Sequence, residues 1–498
     1  MLETHISRIL LTGQFAYKIK RPVSFPFADL RALERRRELC FEEVRLNRRF
    51  APELYLGVCP VTIEAGQARI GGEGEPIEYA VRMRQFARAD ELDRLLEREA
   101  VEPGELRAFG HWLATTHAQL APAAAAQPWG EPDRIAAAVL ENLRETRAVA
   151  PAALEGLLRR IELTLGETLE ANRAVMAARK AAGRIRECHG DLHTRNIVRR
   201  DGRLLPFDCL EFSEALRWID IADEIALLHA DLAAEQRPLH AHAFLDGYLE
   251  AGGDYHACRL LRLYGAHRML VRGKVTALAA ANAATAAGAR GALEARAASY
   301  VREAARLLTP GPRRLVLMSG LAGSGKTWLG QRLAPALNAP QLRSDRERKR
   351  LAGLGELDRS GSAPGKALYS RERTEAVYGR LEECAAHCLA GNLSALVDAS
   401  FLSRGERRRF VRLGAAFAVP VVLVRCSAAR QVLEERLERR AAQRSDASEA
   451  GLEVLRWQER RAEPIEASEG LTVIEADTTR ARIASETLAR LEERAACR

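Results

Sequence analysis

Apolar and polar positions recur along this chain with two periods, and the switches between them predict its elements. Phe15-Ala16-Tyr17-Lys18-Ile19-Lys20 alternates as a strand, with Ala16 and Lys18 on one face. Residues 33–50 repeat at helical spacing, with Leu46 and Phe50 continuing the apolar stripe. Residues 79–86 read as another strand, running into helices from Asp90 onward. Asn196–Arg200 and Arg203–Phe207 flank Asp201-Gly202, a two-residue hairpin signal. A helix over 219–232 aligns Ile221, Ile225, Leu228 and Leu232, which leaves Asp223, Glu224 and Asp231 largely off the stripe as expected solvated charges.

The pattern changes at residues 309–314, Thr-Pro-Gly-Pro-Arg-Arg, which end an amphipathic segment and precede the apolar run Leu315-Val316-Leu317-Met318. A domain boundary is expected there. Strands at 315–318, 394–398, 419–424 and 471–474 then alternate with helical stretches, which predicts an α/β domain built on a parallel sheet.

Length agrees with more than one domain, since 498 residues exceed a single ordinary core. With 47% hydrophobic and 29% charged residues the chain is neither disordered nor membrane-embedded. Its longest apolar stretch, around 275–287, is interrupted by Asn282 and Thr285, and the first eleven residues carry Glu3, His5 and Arg8 where a signal peptide would be apolar. Nine scattered cysteines fit a reducing cytoplasm. The net charge of +9 is uneven: residues 1–308 carry 43 basic and 42 acidic side chains, residues 309–498 carry 33 and 25. Only seven of the cations are lysines, so each lysine near a motif is informative.

Gly320, Leu321, Ala322, Gly323, Ser324, Gly325, Lys326 and Thr327 fit G-x-x-x-x-G-K-[ST] between a predicted strand and a predicted helix over 328–337. Glycines let backbone N–H groups wrap phosphates, Lys326 reaches the β- and γ-phosphates as a catalytic cation, and the Thr327 hydroxyl suits Mg²⁺. Asp398, ending the strand 394–398, is expected as the second metal-side group. Arg436, Arg439, Arg440 and Arg444 share a face of the helical stretch 430–464, where Arg436 and Arg440 are expected to close over the phosphates. This half resembles the small P-loop phosphotransferases of the gluconate-kinase and zeta-toxin kind. That resemblance implies that Asp345, in Leu342-Arg-Ser-Asp345, meets the acceptor hydroxyl.

In the first half, Cys188-His189-Gly190-Asp191-Leu192-His193-Thr194-Arg195-Asn196 puts an Asp and an Asn five positions apart on a loop leading into the hairpin, which returns Asp208 beside it. Asp191 is expected as catalytic base, Asn196 and Asp208 as Mg²⁺ ligands. The arrangement resembles the aminoglycoside phosphotransferase and choline kinase group. It implies a bilobal, protein-kinase-like domain, with a small lobe of about 1–86 and a large lobe of about 87–308. Lys18 is then the phosphate contact, with Lys20 second, and Glu43, preferred over Glu42, is its ion-pair partner. The 17 residues before Lys18 leave room for about one strand and a turn at Gly13, where the kinase small lobe has two strands and a Gly-rich loop.

The combined expectation is a cytoplasmic phosphotransferase with two ATP- and Mg²⁺-using domains, at 1–308 and 315–498, acting on hydroxyl groups of small molecules without nucleic-acid or membrane partners. The alternative is a first half that regulates the second. The acid-rich stretch 201–250, with 11 acids and three arginines, also suggests an acidic pocket for a cationic acceptor. Cys384, His387 and Cys388 share a helix, where core packing is expected over metal binding.

Overall fold

The computed structural model describes residues 1–3, 6–25, 28–282, 287–356, 358, 367–443 and 448–496. Arg444 and Thr285 lie outside them. The chain is a mixed α/β protein in two compact units: Met1–Phe244 with Leu263–Leu308, and Leu245–Arg262 with Thr309–Arg498. Among the described residues no helix is long and apolar enough to cross a membrane.

The first unit begins with a six-stranded sheet ordered Leu2–Glu3, Ser7–Leu11, Phe15–Lys20, Glu78–Arg84, Tyr55–Glu64, Gln67–Ile70, with antiparallel pairing throughout. Two strands precede Lys18, one more than the spacing suggested. They fit because the turn between the second and third is short: Gly13 takes φ 90° and the N–H of Thr12 donates to the Phe15 carbonyl at 2.9 Å. The helix Leu33–Asn47 covers the sheet, its Cys40 and Val44 joining Ala16, Val81 and Met83 in one buried cluster. Val198 and Leu205, from the hairpin Ile197–Arg200 and Arg203–Pro206, enter the same cluster. Asp201 and Gly202 supply the left-handed backbone that the two-residue turn requires. Most of the rest is helical, including Pro103–Gln119, Glu155–Ala181 and Ile221–Ala234, with two short antiparallel pairs, Ser24–Phe25 with Ala28–Asp29 and Ile185–Glu187 with Trp218–Asp220.

The helix Ile221–Ala234 corrects one expectation. Asp223, Glu224 and Asp231 are buried rather than solvated, because each meets donors on neighbouring segments that periodicity within one helix cannot reveal.

In the second unit five parallel strands are ordered Gln341–Arg343, Ala395–Asp398, Leu315–Ser319, Val421–Ser427, Thr472–Asp477. The three-residue edge strand Gln341–Arg343 is too short, and too polar, to show a period of two. The stretch 430–464 holds two described helices, Arg430–Gln443 and Leu452–Arg461.

Leu245–Arg262 clusters with this second unit, although the sequence reading assigned residues 1–308 to one domain. The reason is visible in its partners. Asp246 accepts the Gln341 N–H at 2.9 Å, and Glu250 pairs with Arg343 at 3.3 Å and Arg346 at 2.5 Å. A Cβ on Gly391 would lie 2.0 Å from the Cys258 carbonyl oxygen. Such contacts join residues about a hundred positions apart and leave no local pattern.

Candidate functional sites

The phosphate-binding motif of the second unit forms the turn between the strand Leu315–Ser319 and the helix Lys326–Leu333. Its glycines answer specific geometry. Gly320, Gly323 and Gly325 have φ of 138°, 79° and 82°, and a Cβ on Gly320 or Gly323 would sit 2.3 Å or 2.8 Å from a backbone oxygen. Lys326 Nζ donates to the carbonyls of Gly320 and Leu321, 2.9 Å each, and burial lowers its pKa. The Thr327 hydroxyl donates to Asp398 at 2.6 Å, and Gln341 donates to the same carboxylate at 3.1 Å. Burial raises the Asp398 pKa, against the opposing charges of Arg343 and Lys326.

Asp345, at the start of the helix Ser344–Leu351, faces a cavity of about 280 Å³ together with Lys326, Thr327, Asp398, Arg436 and Arg440. The two arginines differ. Arg436 braces the loop, donating to the Gly323 carbonyl at 3.2 Å and to the Thr478 hydroxyl at 2.8 Å. Arg440 donates to the Ala450 carbonyl at 2.6 Å and lines the cavity. Arg439 is exposed. Glu406 also lines the cavity, a residue the sequence reading missed; it is the capping-box acid of the helix Arg404–Ala416, its carboxylate accepting the Ser403 N–H at 3.2 Å.

In the first unit Lys18 lies between Glu43 Oε1 at 2.8 Å and Asp208 Oδ1 at 2.5 Å. Lys20 joins Glu43 Oε2 at 2.7 Å and pairs with Glu211, which the sequence reading did not single out. Glu42 instead meets Arg45 and Arg217. Burial would lower the Lys18 pKa, yet the charges of Asp208, Glu43 and Glu211 raise it well above the ordinary value. These three carboxylates face two ammonium groups, so one negative charge is in surplus, and Asp208, its side chain 46% exposed, is the open member. Tyr55 and Asn47 fix the Asp208 backbone: the Tyr55 hydroxyl accepts the Asp208 N–H and the Asn47 amide oxygen accepts the Cys209 N–H, both at 3.0 Å.

On the loop 188–196, the Asn196 side-chain amide donates to the Asp191 carbonyl at 3.0 Å and to Asp191 Oδ2 at 3.4 Å. His193 Nε2 is 3.3 Å from Asp191 Oδ2. Burial pushes the Asp191 carboxyl up, but His193 and Arg272 hold it well below the usual range, so it stays ionised. The loop rests on the three buried acids of Ile221–Ala234. Glu224 accepts the N–H groups of His189 at 2.6 Å and Gly190 at 3.0 Å, Asp231 accepts the Thr194 N–H and hydroxyl, and Asp223 pairs with Arg268, which donates to the Gly190 carbonyl at 3.0 Å.

Residues 315–465 match the family described as AAA domain. The uncharacterized protein Rv2004c of Mycobacterium tuberculosis is 31% identical over 447 residues, covering 90% of this chain and 87% of that protein. This chain belongs to the Rv2004c family. The uncharacterized protein Mb2027c of Mycobacterium bovis aligns with the same identity and coverage. Among solved structures, a gluconokinase from Sinorhizobium meliloti is 21% identical, with a TM-score of 0.27, over 38% of this chain and 95% of its own. An amicoumacin kinase in complex with AMP-PNP, Ca²⁺ and Ami is 14% identical, with a TM-score of 0.32, over 61% of this chain and 89% of its own.

In this member of the Rv2004c family, Cys384 and Cys388 are buried in the second unit's core, and Cys388 Sγ lies 3.9 Å from Cys258 Sγ. Among the described residues the one cluster with ligand atoms close enough for a metal is His117, Cys188 and Glu224, all three buried. The Glu224 carboxylate there already receives two backbone N–H groups.

Proposed function

We propose that this chain is an ATP-dependent phosphotransferase with two nucleotide sites, each passing a γ-phosphoryl group to a hydroxyl of a small molecule. The observation that carries the reading is the 2.6 Å contact between Thr327 and Asp398, on the rim of a glycine loop, in the same cavity as Asp345. A hydroxyl and a carboxylate converging beside a phosphate cradle are a donor set suited to Mg²⁺. When bound, the metal would neutralise charge on the β- and γ-phosphates.

In the second unit the loop N–H groups and Lys326 hold the phosphates, and Arg440 reaches the same space. Asp345 orients the acceptor hydroxyl and takes its proton. In the first, kinase-like unit the surplus carboxylate charge around Asp208, with Asn196 beside Asp191, supports a second metal-binding set. There Lys18, held by Glu43, contacts the phosphates, and Asp191, kept ionised, accepts the acceptor proton.

The test is a screen of hydroxyl-bearing metabolites for ATP-dependent gain of one phosphate, read by mass. It compares the full chain with Asp191→Ala and Lys326→Ala. Two products, each lost in one variant only, fit the proposal. Nucleotide hydrolysis without a phosphorylated acceptor contradicts it. Turnover that depends on Lys326 alone returns the first unit to a regulatory role.

A further inference from the structure

The first unit holds a second cavity of about 280 Å³ whose wall includes Arg195, the residue immediately before Asn196. Four more arginines line it, Arg88, Arg94, Arg237 and Arg296, against three carboxylates, Asp93, Glu97 and Glu235. The surplus is positive, opposite to the acidic acceptor pocket that residues 201–250 suggested.

We infer that this cavity binds an anionic, hydroxyl-bearing small molecule, and that this molecule is the acceptor of the first unit; the second clause rests on the proposed kinase reading of that unit.

Three arginines are under-used. Arg195 approaches Asp93 only to 4.0 Å, Arg88 approaches Glu91 to 3.9 Å, and Arg237 approaches Glu99 to 3.7 Å, all longer than a hydrogen bond. Arginine presents five donors in a planar fork that matches carboxylate and phosphate oxygens. Guanidiniums held at such distances around a cavity can meet an anion without first breaking a tight pair. By contrast, Arg94 is held by Glu97 at 2.7 Å, and Arg296 is held by Glu235. Asp93 offers acceptor oxygens to ligand hydroxyls, so the cavity suits a polyol that also carries an anionic group.

Two chains of neighbouring groups run from the cavity wall toward Asp191. His193 sits between them: its Nδ1 accepts the Arg195 N–H at 3.2 Å while its Nε2 is 3.3 Å from Asp191 Oδ2. On the other side Arg296, which lines the cavity, and Arg272 both donate to the Tyr300 hydroxyl, at 3.2 and 3.4 Å. Arg195 stands four residues after Asp191 on the same loop, so a ligand anchored by its anion there is placed, in this proposal, to extend its hydroxyl toward that base. In the transfer, the bond from the γ-phosphorus of ATP to its bridging oxygen breaks, ADP leaves, and the ligand hydroxyl oxygen forms the new bond to phosphorus. The hydroxyl proton passes to the Asp191 carboxylate.

The experiment titrates the full chain, calorimetrically and with AMP-PNP and Mg²⁺ saturating, with glycerol 3-phosphate, with neutral glycerol and with cationic spermidine. Glycerol 3-phosphate should bind in preference to the other two. Arg195→Gln and Arg88→Gln, both at exposed side chains, should each weaken that binding by about tenfold, the scale of a lost charge-assisted hydrogen bond. Unchanged affinity in both variants, or preference for spermidine, overturns the site. Binding that obeys the arginines while phosphorylation of the probe survives Asp191→Ala keeps the site and overturns its role as acceptor site of this unit. Asp191-dependent turnover of glycerol that ignores the arginines overturns the site and leaves the kinase reading standing.

Discussion

Glu224 accepts the backbone N–H of His189 at 2.6 Å from beneath the loop that carries Asp191. Burial raises its pKa from 4.5 to about 7, against the pull of those N–H bonds and of Arg268. An acid whose folded value lies above its unfolded one favours the folded state when protonated. Stability therefore falls as pH rises through that window and levels off above it, by roughly 3 kcal/mol for a shift of this size. Glu224→Gln should flatten this part of the profile. Urea unfolding between about pH 5 and pH 8 reads the slope directly, and equal slopes in both proteins would contradict the assignment.

Glu43 receives two lysines and is fully enclosed. Glu43→Gln removes the carboxylate that bridges the two lysines but leaves Lys18 with Asp208 and Lys20 with Glu211, and should cost about 1–3 kcal/mol in unfolding free energy, the scale of lost charge-assisted hydrogen bonds. A milder outcome is expected for Lys20→Met combined with Glu211→Gln, which removes a cation and an anion together and leaves Lys18 paired with Glu43. Chemical denaturation of the two proteins side by side tests the order.

Lys326 is buried against two carbonyls with its pKa lowered. It is placed for phosphates more than for stability. Lys326→Ala should reduce P-loop phosphotransfer by roughly 10²–10³-fold, the scale seen when one donor to a developing anion is lost. The unfolding midpoint should move little. Single-turnover rates and a denaturation curve on the same preparation separate the two effects.

Gly190 has φ 88°, and a Cβ there would lie 2.8 Å from the Leu216 carbonyl oxygen. Gly190→Ala should destabilise the loop by roughly 1–3 kcal/mol and shift Asp191. The measurement is the Asp191-dependent phosphotransfer proposed for the first unit, where kcat should fall more than KM rises.

Much of this molecule was legible because its chemistry sits on local signals. The glycines, Lys326 and Thr327 are contiguous, and Asp191, Asn196 and Asp208 are held by one hairpin whose Asp201-Gly202 turn is written in the sequence. Glu43 could be ranked above Glu42 by helical phase alone, and the structure puts Glu43 on Lys18. What stayed hidden depends on distance along the chain. Glu224 and Asp231 looked like surface charges because their partners lie 34 to 37 residues upstream. Glu211 meets a lysine 191 positions away. Arg195 looked like one arginine among many until the fold placed Arg88, Arg237 and Arg296 around it.

The membership of Leu245–Arg262 in the second unit bears on how the protein is made. During synthesis this segment leaves the ribosome before residues 263–308 complete the first unit, and well before Gln341, Arg343 and Gly391 exist to receive it. At translation rates of about 5–20 residues per second, the wait for Gly391 is on the order of ten seconds. Over that interval Cys258 and the buried side chains around it lack the cover that the second unit later gives them.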